Sequence, residues 1–459
     1  MTQLLTAPPL PATASAPRRF LPVLPVVALV AMMALPVSGG GDGGGGTIAD
    51  AVSGLVVLYC AIRLVRDRRR PLSRTAAVVF ALPVVGIALA AAGAASPGAG
   101  ITGLVRYLQI FVLVPAAVML LIRDRRDARL VVWSLIGLAL WQGAIGVHQY
   151  VTGTGASYMG EEIRAVGTFG AADVMGMATV VSFGVVCALG LALGAGPGRQ
   201  RTLAALCSLA LLLPLALSFS RGAWIATAVT CGAQLALAGM RRAVKVFAVV
   251  AAASVILVGG LGVGTAMLQE RISSITQVAD APDQSVTDRY TMWAAAVDMW
   301  RDQPLTGVGL KGFPDHRDGN ASLALSSGSD TEGAGAAFKR QPLLSPHNMY
   351  LLILSEQGLL GLLALAGSWL ALLVCGLRRL FRARRAVPER RAVPERRPVR
   401  ERRRSTRGLD CALVACGLLT WQLVDFAYAD IGGPSTALTA VLFGLGAWWA
   451  LASEEAGDR

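Results

Sequence analysis

The chain has three histidines, and one of them is set where it can do chemistry. His347 lies in the string SPHN, residues 345–348. Ser345 can cap a helix and Pro346 can take its first position, which puts His347 in the first turn, with Pro346 and Asn348 as its support. The positive end of a helix disfavours imidazolium, so the ring is held neutral at pH 7, the form a general base must have. The competing reading is a histidine that only hydrogen-bonds at an interface. Three arginines are candidates for holding an anion: Arg221 in SFSRGAW (218–224), Arg289 in SVTDRYTMWAAAVDMWRD (285–302) and, more weakly, Arg164 in RAVGTFGAADVMGMA (164–178). A guanidinium fork donates two parallel hydrogen bonds and so fits phosphate oxygens. Against this, Arg221 could merely snorkel at a helix end, and Arg289 could pair with Asp288 or Asp283.

Other residues read more plainly. Glu356 follows His347 by nine residues, about 900° of helix, so it faces away from the histidine and is expected to pack against another helix. Gly307 and Gly309 supply turns and close approach in PLTGVGLKGF. Arg106 lies inside an apolar span, where a cation costs roughly 2.5–3.5 kcal/mol, and either marks a pathway or pairs with Asp50 or Asp425. His148, His316 and His347 lack ligand spacing, and no HxxxH or DxD pattern occurs, so no metal site is expected.

These residues need elements to position them. Of the 459 residues 54% are hydrophobic and 15% charged, and apolar runs long enough to cross a bilayer recur from end to end. An all-α integral membrane protein follows, with about twelve transmembrane helices expected over 20–38, 47–65, 75–96, 101–122, 129–149, 170–195, 202–219, 222–239, 244–267, 347–377, 408–428 and 433–452. The first run is read as an uncleaved helix rather than a signal peptide. Arginine and lysine concentrate in alternate loops (66–74, 123–129, 199–201, 241–245, 378–407), which makes those loops and both termini cytoplasmic.

The division that results is 1–267 with nine helices, an outer loop at 268–346, helix ten at 347–377, an arginine-rich cytoplasmic loop at 378–407, and two last helices in 408–459. A hydrophilic outer segment of this length suggests a lid or substrate platform. Within it Ser285 and Asp288 are spaced as a capping box, and Tyr290, Trp293, Val297 and Trp300 share a helical face that either rests on the membrane interface or packs on the bundle. The formal charge of +14 does not point to nucleic acid, because fourteen Arg against three Glu fall in 378–407, beside a tandem RAVPER repeat. That loop is expected to meet anionic membrane lipids. All seven cysteines lie in apolar segments and form no framework of disulfides or zinc ligands.

Four strings in order, RAVGTFGAADVMGMA, SFSRGAW, DQPLTGVGLKGFPD (302–315) and SPHNMYLLILSEQGLLGLL (345–363), resemble the signatures of the O-antigen ligase and polymerase family. Ser218 stands where that family often has Thr, and Asp173 where it often has Asn. The resemblance implies a glycosyltransferase C type bundle and a metal-independent, cofactor-free transfer of a glycan from a polyprenyl diphosphate carrier to an acceptor hydroxyl, with inversion, on the outer face of the cytoplasmic membrane. It implies His347 as base and Arg221 and Arg289 as diphosphate ligands, with Arg164 a weaker third candidate. Cell-wall or capsular polysaccharide would be the product, by ligation or polymerisation.

A multi-pass transporter or flippase of lipid-linked saccharide is the rival class, although no inverted repeat is visible. A third reading makes the protein a membrane scaffold worked by its arginine-rich loop. A transporter would depend on intramembrane charge and a scaffold on 385–404, whereas a transferase would depend on His347 and Arg221.

Overall fold

A computed structural model describes residues 22–36, 48–67, 72–158, 161–173, 175–239, 244, 248, 284–326, 328–333, 336–341, 343–385 and 408–452. Each predicted span contains a described helix except 244–267, of which only residues 244 and 248 are described. They are α1 (Leu24–Met32), α2 (Ile48–Asp67), α3 (Arg74–Ala92), α4 (Pro97–Leu121), α5 (Arg125–Thr152), α6 (Gly176–Leu193), α7 (Gly198–Leu217) and α8 (Arg221–Ala238), then α11 (Met349–Arg385), α12 (Leu409–Asp425) and α13 (Thr436–Leu451). Between α8 and α11 stand two further helices, α9 (Gln284–Asp302) and α10 (Phe313–Asn320). Seven of the described helices are long and apolar enough to cross a membrane.

Helices that are apolar all round are buried, and those with one apolar stripe lie outside. Accordingly α6, α12 and α13 form the centre, with nearly every residue buried. Helices α2 and α3 flank it and turn Leu55, Leu58, Ile62, Val78, Leu82, Val85 and Leu89 outward, as lipid-facing surfaces do. Pro115, which brings no N–H to the ladder, follows a π-turn at Gln109–Leu113 within α4. Beside that turn Arg106 is paired with Asp50, while Gln109 Nε2 donates to Asp50 Oδ1 at 3.1 Å and to Ser53 Oγ at 2.6 Å. The intramembrane cation is thus neutralised within the bundle.

The loops segregate to two ends. At one end Arg129 binds Asp410 at 2.6 Å, Arg125 lies against Gly408, and Arg379 reaches the carbonyls that close α13. At the other end a four-stranded antiparallel sheet, ordered β2-β1-β3-β4, joins β1 (Ala156–Tyr158) and β2 (Glu161–Arg164) to β3 (Ser329–Gly333) and β4 (Ala336–Gln341). This small sheet is an addition to the helical membrane fold, and it ties the segment before α6 to the segment before α11. Helix α11 itself runs on past residue 377 to Arg385, and the rest of the arginine-rich loop lies outside the described residues.

Candidate functional site

The SPHN segment is built differently from the sequence expectation. Helix α11 starts at Met349, and Asn348 is its cap, accepting the Leu351 N–H at 3.1 Å. Ser345 and Pro346 do not start the helix, and His347 is not in its first turn. Instead His347 precedes the cap with φ +49°, a left-handed conformation that a side chain other than glycine's rarely adopts. The tertiary contacts of this segment over-determine the turn and hold it there. Met349 N–H donates to Phe426 O at 2.8 Å and Ala429 O at 3.0 Å, Asn348 Nδ2 to Ala427 O at 3.1 Å, and the Trp293 indole to Pro346 O at 2.8 Å.

The segment is therefore moulded onto the loop between α12 and α13, and that loop carries a residue the sequence did not single out. Asp430 places Oδ2 3.9 Å from His347 Nδ1 and accepts the hydroxyl of Ser345. Its side chain is 11% exposed and that of His347 is 43% exposed. The imidazole thus has an open side and an acid behind it. Although the ring reaches solvent, desolvation by the surrounding protein is the largest influence on it and lowers its pKa; Asp430 acts to raise it and Arg289 to lower it. The net direction is downward, toward a neutral ring.

The other motifs meet the same loop. Ser220 caps α8 through Ala223 N–H at 3.3 Å, which places Arg221 as its first residue, and Phe219 before it is also left-handed at φ +48°. Gly222 faces Tyr428: a Cβ there would lie 3.2 Å from the Tyr428 Cβ. The RAVGTF stretch packs on the SRGA turn through Ala165 N–H to Leu217 O at 3.4 Å, so Arg164 and Arg221 belong to neighbouring backbone segments. Gln149 and Gln142 hold that stretch by bonds to Val166, Gly167 and Thr168. Asp173 accepts the Ser435 N–H at 3.2 Å and so anchors the far side of the 426–435 loop. That bond needs only an acceptor oxygen, which Asp and Asn both supply.

Arg289 enters from α9. That helix packs a different face inward, Met292, Ala295, Ala296 and Met299, with α11 among its neighbours, while Tyr290 is exposed and Trp293, Val297 and Trp300 are half-buried. Ser285 sits inside α9, and Asp288 binds Ser326 through its backbone N–H (2.8 Å) and hydroxyl (2.6 Å). Asp283 lies outside the described residues.

Glu356, Gly307 and Gly309 form a support beneath the site. Helix α11 is broken at Gly358, with φ +63° and ψ −165°. The PLTGVG backbone runs into the break: Val308 N–H donates to Ser355 O at 2.8 Å, Gly309 N–H to Glu356 O at 3.0 Å, and Leu359 and Leu360 N–H return to Pro304 and Leu305 carbonyls. The groups freed by the break are re-satisfied by the loop, as irregular backbone within a bundle requires. The buried Glu356 carboxylate accepts the Phe313 N–H at 3.2 Å at the start of α10. A Cβ on Gly307 would come within 2.5 Å of the Glu356 backbone, and one on Gly309 within 2.3 Å of Gly93 O. Gly358→Ala, whose Cβ would lie 2.3 Å from the Leu305 carbonyl at a backbone angle only glycine tolerates, is expected to cost about 3 kcal/mol or more. Thermal unfolding in detergent should show a lower midpoint and faster proteolysis between 303 and 312; an unchanged midpoint and digestion pattern would contradict this docking.

The remaining histidines stand apart. His316 pairs its Nδ1 with Gly312 O at 2.9 Å, and among the described residues no group of three or more His, Cys, Asp or Glu could hold a metal ion. Comparison with protein families finds that the O-antigen ligase family model matches residues 205–366. The match takes in the SRGA turn, α9, the PLTGVG loop, SPHN and the break at Gly358, and leaves out the RAVGTF stretch and the 426–435 loop. No curated protein matches the chain.

Proposed function

From the premise that this multi-pass membrane chain carries an O-antigen ligase domain at residues 205–366, we propose that it moves a glycan from a polyprenyl diphosphate carrier to an acceptor hydroxyl, by ligation or polymerisation. The observation that carries the reading is the half-open His347 backed by Asp430, on a loop that also meets the SRGA turn and the RAVGTF stretch. Such a transfer needs a base for the acceptor proton and cations for the diphosphate as the glycosidic bond breaks.

With Nδ1 toward Asp430, Nε2 is left for the acceptor hydroxyl. As the acceptor oxygen attacks the anomeric carbon, its proton passes to His347, and Asp430 stabilises the imidazolium that forms. The anomeric bond to the diphosphate breaks on the opposite side, so the centre inverts. Arg221, Arg289 and Arg164 take up the negative charge of the departing lipid diphosphate, and with that charge met by guanidinium groups the transfer proceeds without a metal. The basic loops at the far end of the bundle support the reading that this site faces outward from the cytoplasmic membrane.

The test uses purified protein in liposomes, with a labelled undecaprenyl diphosphate glycan and an acceptor pool. Transfer to the acceptor without added nucleotide or metal supports the reading. Movement of the intact lipid-linked glycan across the bilayer without cleavage would replace it with the transporter reading.

A further inference from the structure

Tyr290 follows Arg289 on α9, and its side chain stands 54% exposed. Its ring meets that of Trp293, one turn further on, edge to face, with centroids 5.5 Å apart and planes at 89°. Trp293 in turn spends its indole N–H on Pro346 O at 2.8 Å, the carbonyl that immediately precedes His347. A row of two aromatic rings therefore runs from the left-handed turn of the candidate base to an open tyrosine. The half-open imidazole, and Arg289 whose charge acts on it, belong to the same corner of the protein.

An exposed aromatic ring at a membrane protein's surface meets either the bilayer or a ligand. A helix that lies on a membrane presents a broad apolar face to it. On α9 the face that carries Tyr290 continues instead through Ala294 to Asp298 and Arg301, an ion pair at 2.8 Å with both side chains open to solvent. Among the described residues of α9, Tyr290 is the one exposed large apolar side chain. It is thus a single ring on a polar surface, beside a site that is read as handling a glycan. A pyranose matches that surface. Its hydroxyls suit the polar rim, and its C–H face carries partial positive charge that complements the negative face of an aromatic ring.

We propose that Tyr290 is a stacking platform for a sugar of the lipid-linked glycan close to its diphosphate, held in place by Trp293 and the Pro346 carbonyl. The proposal rests on the reading that a lipid-linked glycan is the donor at this site. It adds to that reading a residue that recognises the sugar rather than the diphosphate or the lipid.

Equilibrium binding of two radiolabelled probes to the purified full chain in nanodiscs tests it, one probe being an undecaprenyl diphosphate glycan and the other undecaprenyl diphosphate without sugar. Tyr290→Ala and Tyr290→Leu should each weaken binding of the glycan-bearing lipid by about tenfold, the effect of one lost aromatic face, and leave the sugar-free lipid unchanged. Tyr290→Phe keeps the ring and should bind both probes as wild type does. Affinity for the glycan-bearing lipid that is unchanged in the alanine variant, or lost equally for both probes, would overturn the proposal. So would a leucine variant that binds like wild type, since any apolar side chain would then serve, and a phenylalanine variant as weak as alanine, since the hydroxyl would then carry the contact. Binding needs no turnover, so this test stands apart from the transfer assay: transfer by wild type with no effect of Tyr290 on binding removes only the platform, and selective binding without transfer removes only the enzyme reading.

Discussion

His347→Ala lowers the rate of glycan transfer by about 10²–10⁴-fold, the usual contribution of a positioned base, while the protein stays folded. The loss falls on kcat, because the imidazole acts only as the acceptor proton moves, and binding of the lipid-linked donor is little changed. The fold survives because the turn is held by backbone bonds of Met349 and by Asn348 rather than by the imidazole. Single-turnover transfer in liposomes is the check. A variant with full rate would remove His347 from the chemistry and leave its left-handed conformation as a packing feature.

Arg221→Gln lowers transfer by about 10²–10³-fold, the cost of removing one preorganised donor from a site of developing charge. Arg221 is the first residue of α8, on a turn fixed by the Ser220 cap and by Gly222 against Tyr428, so its backbone is set before any donor arrives. Arg221→Lys should recover only part of the rate, because a point charge replaces a planar fork. Equal rates for the arginine, lysine and glutamine forms would mean that the residue only anchors a helix end.

The helical membrane fold was legible because apolar runs of bilayer length are the strongest pattern a sequence carries, and basic loops marked which ends lie together. Arg106 showed the same economy: an arginine in a span needs a partner, and Asp50, one of two candidates, is the one it has. The start of α11 was misread because Ser345-Pro346 and Asn348 are both good local starts. Hydrogen bonds from Met349 to Phe426 and Ala429, which no local rule contains, select the second.

The sheet was missed because strands of three to six residues are too short for alternation to show. The break at Gly358 has no local signal of its own, a glycine within an apolar run; the signal lies in the glycine-rich PLTGVG string, whose Gly307 and Gly309 allow the close backbone approach. Asp430 escaped because it lies far along the chain from His347, in a loop outside every matched motif. Topology alone could not single it out: a base histidine needs an acid, but the 268–346 segment on its side by itself carries ten carboxylates.

The most direct test of the central claim, that His347 is a base supported by Asp430, is the pH dependence of transfer in wild type, Asp430→Asn and Arg289→Gln. Burial and Arg289 lower the pKa of His347 and Asp430 raises it, so the wild-type rate should climb with pH through a midpoint below the ordinary imidazole value of about 6.5. Asp430→Asn removes the raising charge, so the midpoint moves to lower pH while the plateau rate falls. Arg289→Gln removes a lowering charge, and the midpoint moves to higher pH. Opposite movements in the two variants are the predicted result; a midpoint that stays fixed in both, or shifts the same way, would contradict the account.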